Sequence, residues 1–449
     1  VGTDTVQAQG YGEAAGRRRE QRGWYFYDWA CSVYSTSVLT VFLGPYLTSV
    51  AESAADAEGY VHPLGVPVRA GSFFAYSVSL SVVLAVVVMP LVGSAADRTG
   101  RKKPLLGTAA YVGATATTGM FFLDGDRYLL GGALLIVANA AQSVATMLYN
   151  SYLPQIAPPG ERDAVSSRGW AFGYAAGSLV LIGNLVLYSA HDSFGLSETA
   201  AVRVCLASAG LWWGAFTLVP LRRLRDRGAG AVRGAAAPGL RQLAATVRDM
   251  RRHPLTLAFL LAYLVYNDGI QTVISQASVY GSEELGLGQS TLIGAVLLVQ
   301  VLAVAGALAM GRLARTYGAK RTILGSLVAW TLTLGAGYFL PAGAPVGFFA
   351  LAAGIGLVLG GSQALSRSLF SHLVPPGKEA EYFSAYEMSD RGMSWLGPLL
   401  FGVTYQLTGS YRSAIVSLVA FFVIGFALLA RVPVRRAIGE AGNPVPQKI

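Results

Sequence analysis

The sequence predicts an all-α polytopic membrane protein, with twelve transmembrane helices in two pseudo-symmetric six-helix halves. Three observations carry that prediction. Only 13% of the 449 residues are charged against 53% hydrophobic, about half the charge of an average soluble chain, and mean hydropathy is +0.48. Several apolar stretches exceed the ~18–20 residues that cross a bilayer as a helix. The remaining basic residues cluster on alternate loops. A soluble enzyme is excluded, because so little charge cannot solvate a surface of this size.

The first span, 24–50, follows a polar tail with Arg17, Arg18, Arg19 and Arg22. No small-residue cleavage site follows its apolar run, so it reads as a span and not a signal peptide. Spans 72–96, 103–123, 127–152, 165–190 and 200–221 complete the first half. Spans 254–281, 290–313, 321–341, 344–371, 382–408 and 411–431 form the second. The fourth, fifth, tenth and eleventh carry polar residues and glycines. Those are expected to face something other than lipid. The domains expected are therefore a tail 1–23, a bundle 24–221, a basic linker 222–253, a bundle 254–431 and a tail 432–449.

Lys and Arg orient the chain. With the first tail inside, 29 of the 34 fall on inner segments and four (Arg69, Arg127, Arg203, Arg412) on outer ones, leaving Arg391 within a span. Acidic residues divide 11 inside and 9 outside, as expected when only positive charge responds to the insertion machinery. Both termini are expected in the cytoplasm, in a bacterial-type plasma membrane. The net charge of +10 thus reports topology and contact with lipid headgroups, not a nucleic-acid partner. Cys31 and Cys205 lie in apolar segments as small buried hydrophobes. The histidines (His62, His191, His253, His372) form no metal motif, and no catalytic constellation, cofactor site or Walker motif is present.

An internal repeat supports two halves. Gly93-Ser-Ala-Ala-Asp97-Arg98-Thr-Gly100-Arg101-Lys102-Lys103 joins spans 2 and 3, and Gly311-Arg-Leu-Ala-Arg315-Thr-Tyr-Gly318-Ala-Lys320-Arg321 joins spans 8 and 9, an offset of 218. Pro158-Pro159-Gly160 after span 4 and Pro375-Pro376-Gly377 after span 10 are offset by 217. Six spans per repeat give the copies the same orientation, a parallel repeat about an axis along the membrane normal.

The loop 2–3 pattern G-x3-D-R-x-G-R-K-K resembles the signature of the major facilitator superfamily. The resemblance implies that fold, and gives Gly93, Asp97, Arg98, Gly100 and Arg101 the role of a latch between halves. Arg315 stands where the second copy would need an acid, so a matching latch there is not expected. Tyr27-Asp28-Trp29-Ala30, Ser167-Arg168-Gly169-Trp170-Ala171, Tyr266-Asn267-Asp268-Gly269 and Gly361-Ser362-Gln363-Ala364-Leu365-Ser366-Arg367-Ser368 resemble the vacuole-effluxer-like branch of that superfamily, whose fungal members export amino acids.

Ionisable groups in hydrocarbon are functional candidates by default. Asp28, near the start of span 1, reads either as an interfacial carboxylate or as part of the path. Asp268 lies about fourteen residues into span 7, roughly 20 Å deep; pairing and a proton or substrate site both remain open for it. Asn139, Gln142, Tyr174, Asn267, Gln271 and Gln363 complete the candidate pathway. In span 11, Glu387 and Arg391 are spaced i, i+4 and can pair, leaving Asp390 to seek a cation such as Arg367. That cluster reads as gating. The function expected is secondary transport of a small polar solute, such as an amino acid, outward by alternating access with possible proton coupling, in a monomer. The alternative is a non-transporting sensor or scaffold on the same fold.

Overall fold

The computed structural model describes residues 2–227, 248–391 and 396–449. Most of the linker 222–253 lies outside them. Among the described residues helices occupy all twelve expected spans, and nine of them are long and apolar enough to cross a membrane. The other three are Lys102–Gly119 in span 3, Ala319–Tyr338 in span 9, and Glu379–Arg391 with Leu396–Thr408 in span 11. The first two are short and carry basic residues in their first turn, Lys102 and Lys103 in one and Lys320 and Arg321 in the other. Large apolar side chains on the outer helix faces stay exposed, as Tyr76, Leu80, Val83 and Val87 do in span 2. Their i, i+3, i+4 spacing makes one stripe, the surface that lipid covers.

The chain divides into two compact units. The first holds Val1–Tyr149 and Ala175–Ala229. Its opening helix, Gly2–Val33, begins far ahead of residue 24 and continues through a π-helical stretch, Tyr34–Phe42, into Leu43–Ser53. Hydropathy could not foresee that start, since the added turns are polar. Spans 3 and 6 approach closely: a Cβ at Gly210 would lie 2.4 Å from the Thr118 nitrogen. Trp24 stacks on Tyr149 at 4.4 Å and donates its indole N–H to the Tyr149 carbonyl at 2.9 Å, fixing span 1 to span 4.

The second unit holds Asn150–Tyr174 and Gly230–Ile449. Spans 8 and 10 meet backbone to backbone. A Cβ at Gly306 would lie 2.2 Å from the Leu357 carbonyl oxygen, and one at Gly360 2.3 Å from that of Ala303. Small residues permit such contact where lipid supplies no hydrophobic drive between helices. A helix at Val434–Glu440, unforeseen in the tail, is followed by Asn443, whose Nδ2 donates to the carbonyls of His372 (2.9 Å) and Val374 (2.7 Å). Those carbonyls end span 10 and would otherwise want donors.

Candidate functional site

In the first unit the loop 2–3 motif closes span 2 with Gly100 at φ 64°, a left-handed position that favours glycine. Asp97 pairs with Lys102 at 3.1 Å, both side chains about 5% exposed. Arg98 donates to Ser94, and Arg101 is exposed, its N–H accepted by Thr99. In the second copy Gly318 again has positive φ. Arg315 replaces the acid, and Lys320 turns instead to the Ala430 and Val432 carbonyls at 2.8 Å.

Three of the predicted pathway residues lie in this first unit. Asp28 accepts the Tyr149 hydroxyl at 2.6 Å. Asn139 donates to Ser81 at 2.6 Å, and its Oδ1 is buried without a hydrogen-bond partner. Gln142 donates to Ser35 at 3.3 Å. Asn139, Gln142 and Thr146 follow i, i+3, i+7, so span 4 presents one polar stripe along its length.

The second unit gathers most of the others into two clusters. In one, Gln363 donates to Asn267 Oδ1 at 2.7 Å, and Asn267 donates to Asp390 Oδ1 at 2.6 Å. Tyr263 donates to the same carboxylate oxygen at 3.1 Å. Gln271, one turn along span 7, is half-buried. In the other, Arg367 is 2% exposed. Its Nε and Nη2 donate to Ser166 Oγ and O, both at 2.9 Å, and its Nη1 to Asn150 Oδ1 at 3.1 Å. The Trp170 ring lies 5.4 Å from the guanidinium carbon, with Tyr174 5.6 Å beyond it. Asn150 Nδ2 in turn donates to Glu387 Oε1 at 2.7 Å. One amide therefore joins a buried cation to a buried anion.

Asp268 stands apart from both clusters. Its Oδ2 accepts the Gly397 N–H at 2.9 Å, while Oδ1 is buried without a hydrogen-bond partner. The expected Glu387–Arg391 pair falls on an Arg391 side chain outside the described residues. Sequence reasoning missed Tyr263 and Ser166 as site residues: a tyrosine in an apolar span reads as packing, and Ser166, at the entrance of span 5, carries no charge to single it out.

The family model described as Vacuole effluxer Atg22 like matches residues 16–442. The uncharacterized MFS-type transporter YxiO of Bacillus subtilis is 30% identical, over 95% of this chain and 98% of its own. Autophagy-related protein 22-1 of Aspergillus niger is 25% identical, over 94% and 90%. Among solved structures, the major facilitator transporter FucP, crystallised in the outward conformation, matches with a TM-score of 0.67 at 14% identity, covering 92% of this chain and 98% of FucP. A bacterial homologue of the iron transporter ferroportin matches at 0.65 and 14%, covering 93% and 98%. These structures show a common fold and nothing about substrate.

Proposed function

Because the chain belongs to the Atg22-like vacuole effluxer family of major facilitator transporters, we propose that its solute is a small zwitterion, an amino acid or close relative, moved outward by alternating access. That it is an integral multi-pass transporter of a small molecule follows from the family and the fold. The observation that supports a zwitterion is the bridge Arg367–Asn150–Glu387. The Asn150 amide offers an oxygen to the guanidinium and an N–H to the carboxylate. A bound amino acid offers the same two groups in stronger form: its carboxylate suits Arg367 and its ammonium suits Glu387. Asp390, Asn267 and Gln363 supply further polar contacts along spans 7, 10 and 11. Proton coupling is assigned to Asp268, whose buried Oδ1 is free to take a proton. In this reading the protein works as a monomer in a bacterial-type plasma membrane with both termini in the cytoplasm, an orientation that the basic loops support.

The test is binding followed by flux. Purified protein is melted with amino acids, dipeptides, sugars and drugs, since a ligand of the folded state raises the midpoint. Hits are then followed as labelled counterflow in proteoliposomes. A set of amino acids that stabilise and exchange supports the proposal. Stabilisation and counterflow by sugars alone would overturn it.

A further inference from the structure

Spans 1 and 6 of the first unit meet near their basic ends, where four aromatic rings line one seam. Trp29 lies 5.7 Å from Trp212 and 6.1 Å from Phe216. Phe216 in turn lies 6.3 Å from Phe26 and 4.5 Å from Trp212. The Trp212 indole N–H donates to the Trp29 carbonyl at 3.0 Å, which fixes the register. Nearer the helix ends the partners are Gly23 and Arg223: a Cβ at 23 would lie 2.6 Å from the Arg223 Cβ. The pairs 29 with 212, 26 with 216 and 23 with 223 run in opposite directions, so the helices are antiparallel. All four rings stay partly exposed, whereas the adjacent Trp213 is fully buried.

Helical spacing stacks the same two chemistries on both sides of the seam. Arg22, Phe26 and Trp29 follow i, i+4, i+7 on one side of span 1; Trp212, Phe216 and Arg223 follow i, i+4, i+11 on one side of span 6. Glu20 lies on another side of its helix, 5% exposed, and pairs with Arg227 at 2.5 Å and Arg225 at 3.9 Å. Among the described residues no acid pairs with Arg22 or Arg223. At ~1.5 Å per residue the rings reach roughly 10 Å from Arg22 and roughly 16 Å from Arg223 along the helix axes. That is about the ~15 Å depth of half a hydrocarbon core. We propose that the seam binds one anionic glycerophospholipid. Its phosphate is held by Arg22 and Arg223, where guanidinium and phosphate match in charge and geometry, and an acyl chain lies along the four rings. A soluble anion would use the arginines and leave the rings unoccupied. A zwitterionic lipid would bring its own cation towards two guanidinia. The bound lipid bridges the first and last spans of the unit and so stabilises their packing.

The test is a lipid titration of the full chain in neutral detergent. It is melted with increasing phosphatidylglycerol or phosphatidylcholine, because a ligand of the folded state raises the midpoint. Phosphatidylglycerol should raise it to a plateau. R22Q/R223Q should move half-saturation about tenfold higher or more, the size of a lost charged hydrogen bond. R312Q/R315Q removes the same charge from two exposed arginines of the other unit and should leave half-saturation at the parental value. Equal shifts by the two lipids in the parent overturn the proposal, as does an equal loss in the two double variants. Inorganic phosphate that reproduces the full shift overturns the assignment to a lipid. A second measurement needs no arginine variant. Phosphatidylglycerol brominated on its acyl chains should quench tryptophan fluorescence more than brominated phosphatidylcholine at the same mole fraction. W29F/W212F should abolish that excess. Equal quenching by the two lipids, or an excess that survives in W29F/W212F, overturns the site.

Discussion

Asp268 Oδ2 accepts the backbone N–H of Gly397 at 2.9 Å, tying the middle of span 7 to the first turn of Leu396–Thr408. The contact needs glycine. A Cβ at 397 would lie 1.8 Å from Thr272 Oγ1 and 3.2 Å from the Asp268 carbonyl oxygen. Gly397→Ala should therefore destabilise by about 1–3 kcal/mol, the usual cost of overpacking, seen as a lower melting midpoint in detergent. Thr272→Ala added to it should recover part of the loss, because the nearest clash is a side-chain oxygen. An unchanged midpoint in the single variant would refute the close approach.

Glycines elsewhere should split by what surrounds them. Gly360→Ala directs a methyl at the Ala303 carbonyl, 2.3 Å away, and backbone cannot rotate aside. Gly335, in the helix Ala319–Tyr338, has nothing within 4 Å of its added Cβ. Alanine there should stabilise by roughly 0.5–1 kcal/mol, the conformational freedom that glycine loses in a helix. Parallel thermal melts of the two variants should move in opposite directions.

The uneven legibility of this chain has physical causes. Crossing a bilayer demands about 20 apolar residues, so the spans stand out wherever lipid sets composition. Lys102, Lys103, Lys320 and Arg321 dilute the starts of the helices in spans 3 and 9, yet hydropathy still placed both and the repeat agreed. Asn267, Gln363 and Asp390 were visible as polar groups in apolar runs, and the structure joins them. Their partner Tyr263 was not, because its ring packs on Tyr386 at 4.4 Å like any core aromatic while only its hydroxyl reaches Asp390. Nor could hydropathy pair Arg367 with Asn150. Proximity of repeat equivalents is a fact of three dimensions.

Asp249, at the end of the linker before span 7, gives a pH signature. Burial pushes its carboxyl up, but Lys378 Nζ at 2.6 Å and the Tyr382 hydroxyl at 3.0 Å outweigh that and hold it below the ordinary carboxylate value. A depressed carboxyl contributes stability that is complete above its unfolded value and is lost as pH falls through the folded one. Lys378→Met should thus lower the melting midpoint at pH 7, and the deficit should shrink as pH drops below about 4. A deficit that stays constant down to pH 3 would show that the lysine acts through packing.

Arg367→Lys should not behave as a conservative change. The guanidinium reaches Ser166 Oγ, Ser166 O and Asn150 Oδ1 and lies over Trp170, a planar fork that one ammonium cannot reproduce. Loss of even one charged hydrogen bond suggests a roughly tenfold fall in counterflow rate. Glu387→Gln leaves Asn150 an oxygen acceptor but removes the charge proposed to hold the ammonium of the solute, so counterflow should fall at least as far. Equal rates in Arg367→Lys and the parent would remove Arg367 from the site.

Asp268→Asn separates the two roles that one carboxylate could have. Asparagine keeps an oxygen for the Gly397 N–H, so the tie between spans 7 and 11 survives. What it loses is the capacity to take up and release a proton at the buried Oδ1. Counterflow exchanges labelled for unlabelled solute with no net proton movement, so it should persist within about twofold of the parent, a few tenths of a kcal/mol where about 1.4 is tenfold. Concentrative flux driven by a pH gradient should disappear, because the solute then crosses without its proton. Gradient-driven flux that continues at the parental level would take the proton role away from Asp268. A variant that loses counterflow and several degrees of melting midpoint together would assign the carboxylate to the helix tie, with its negative charge needed to hold the Gly397 amide.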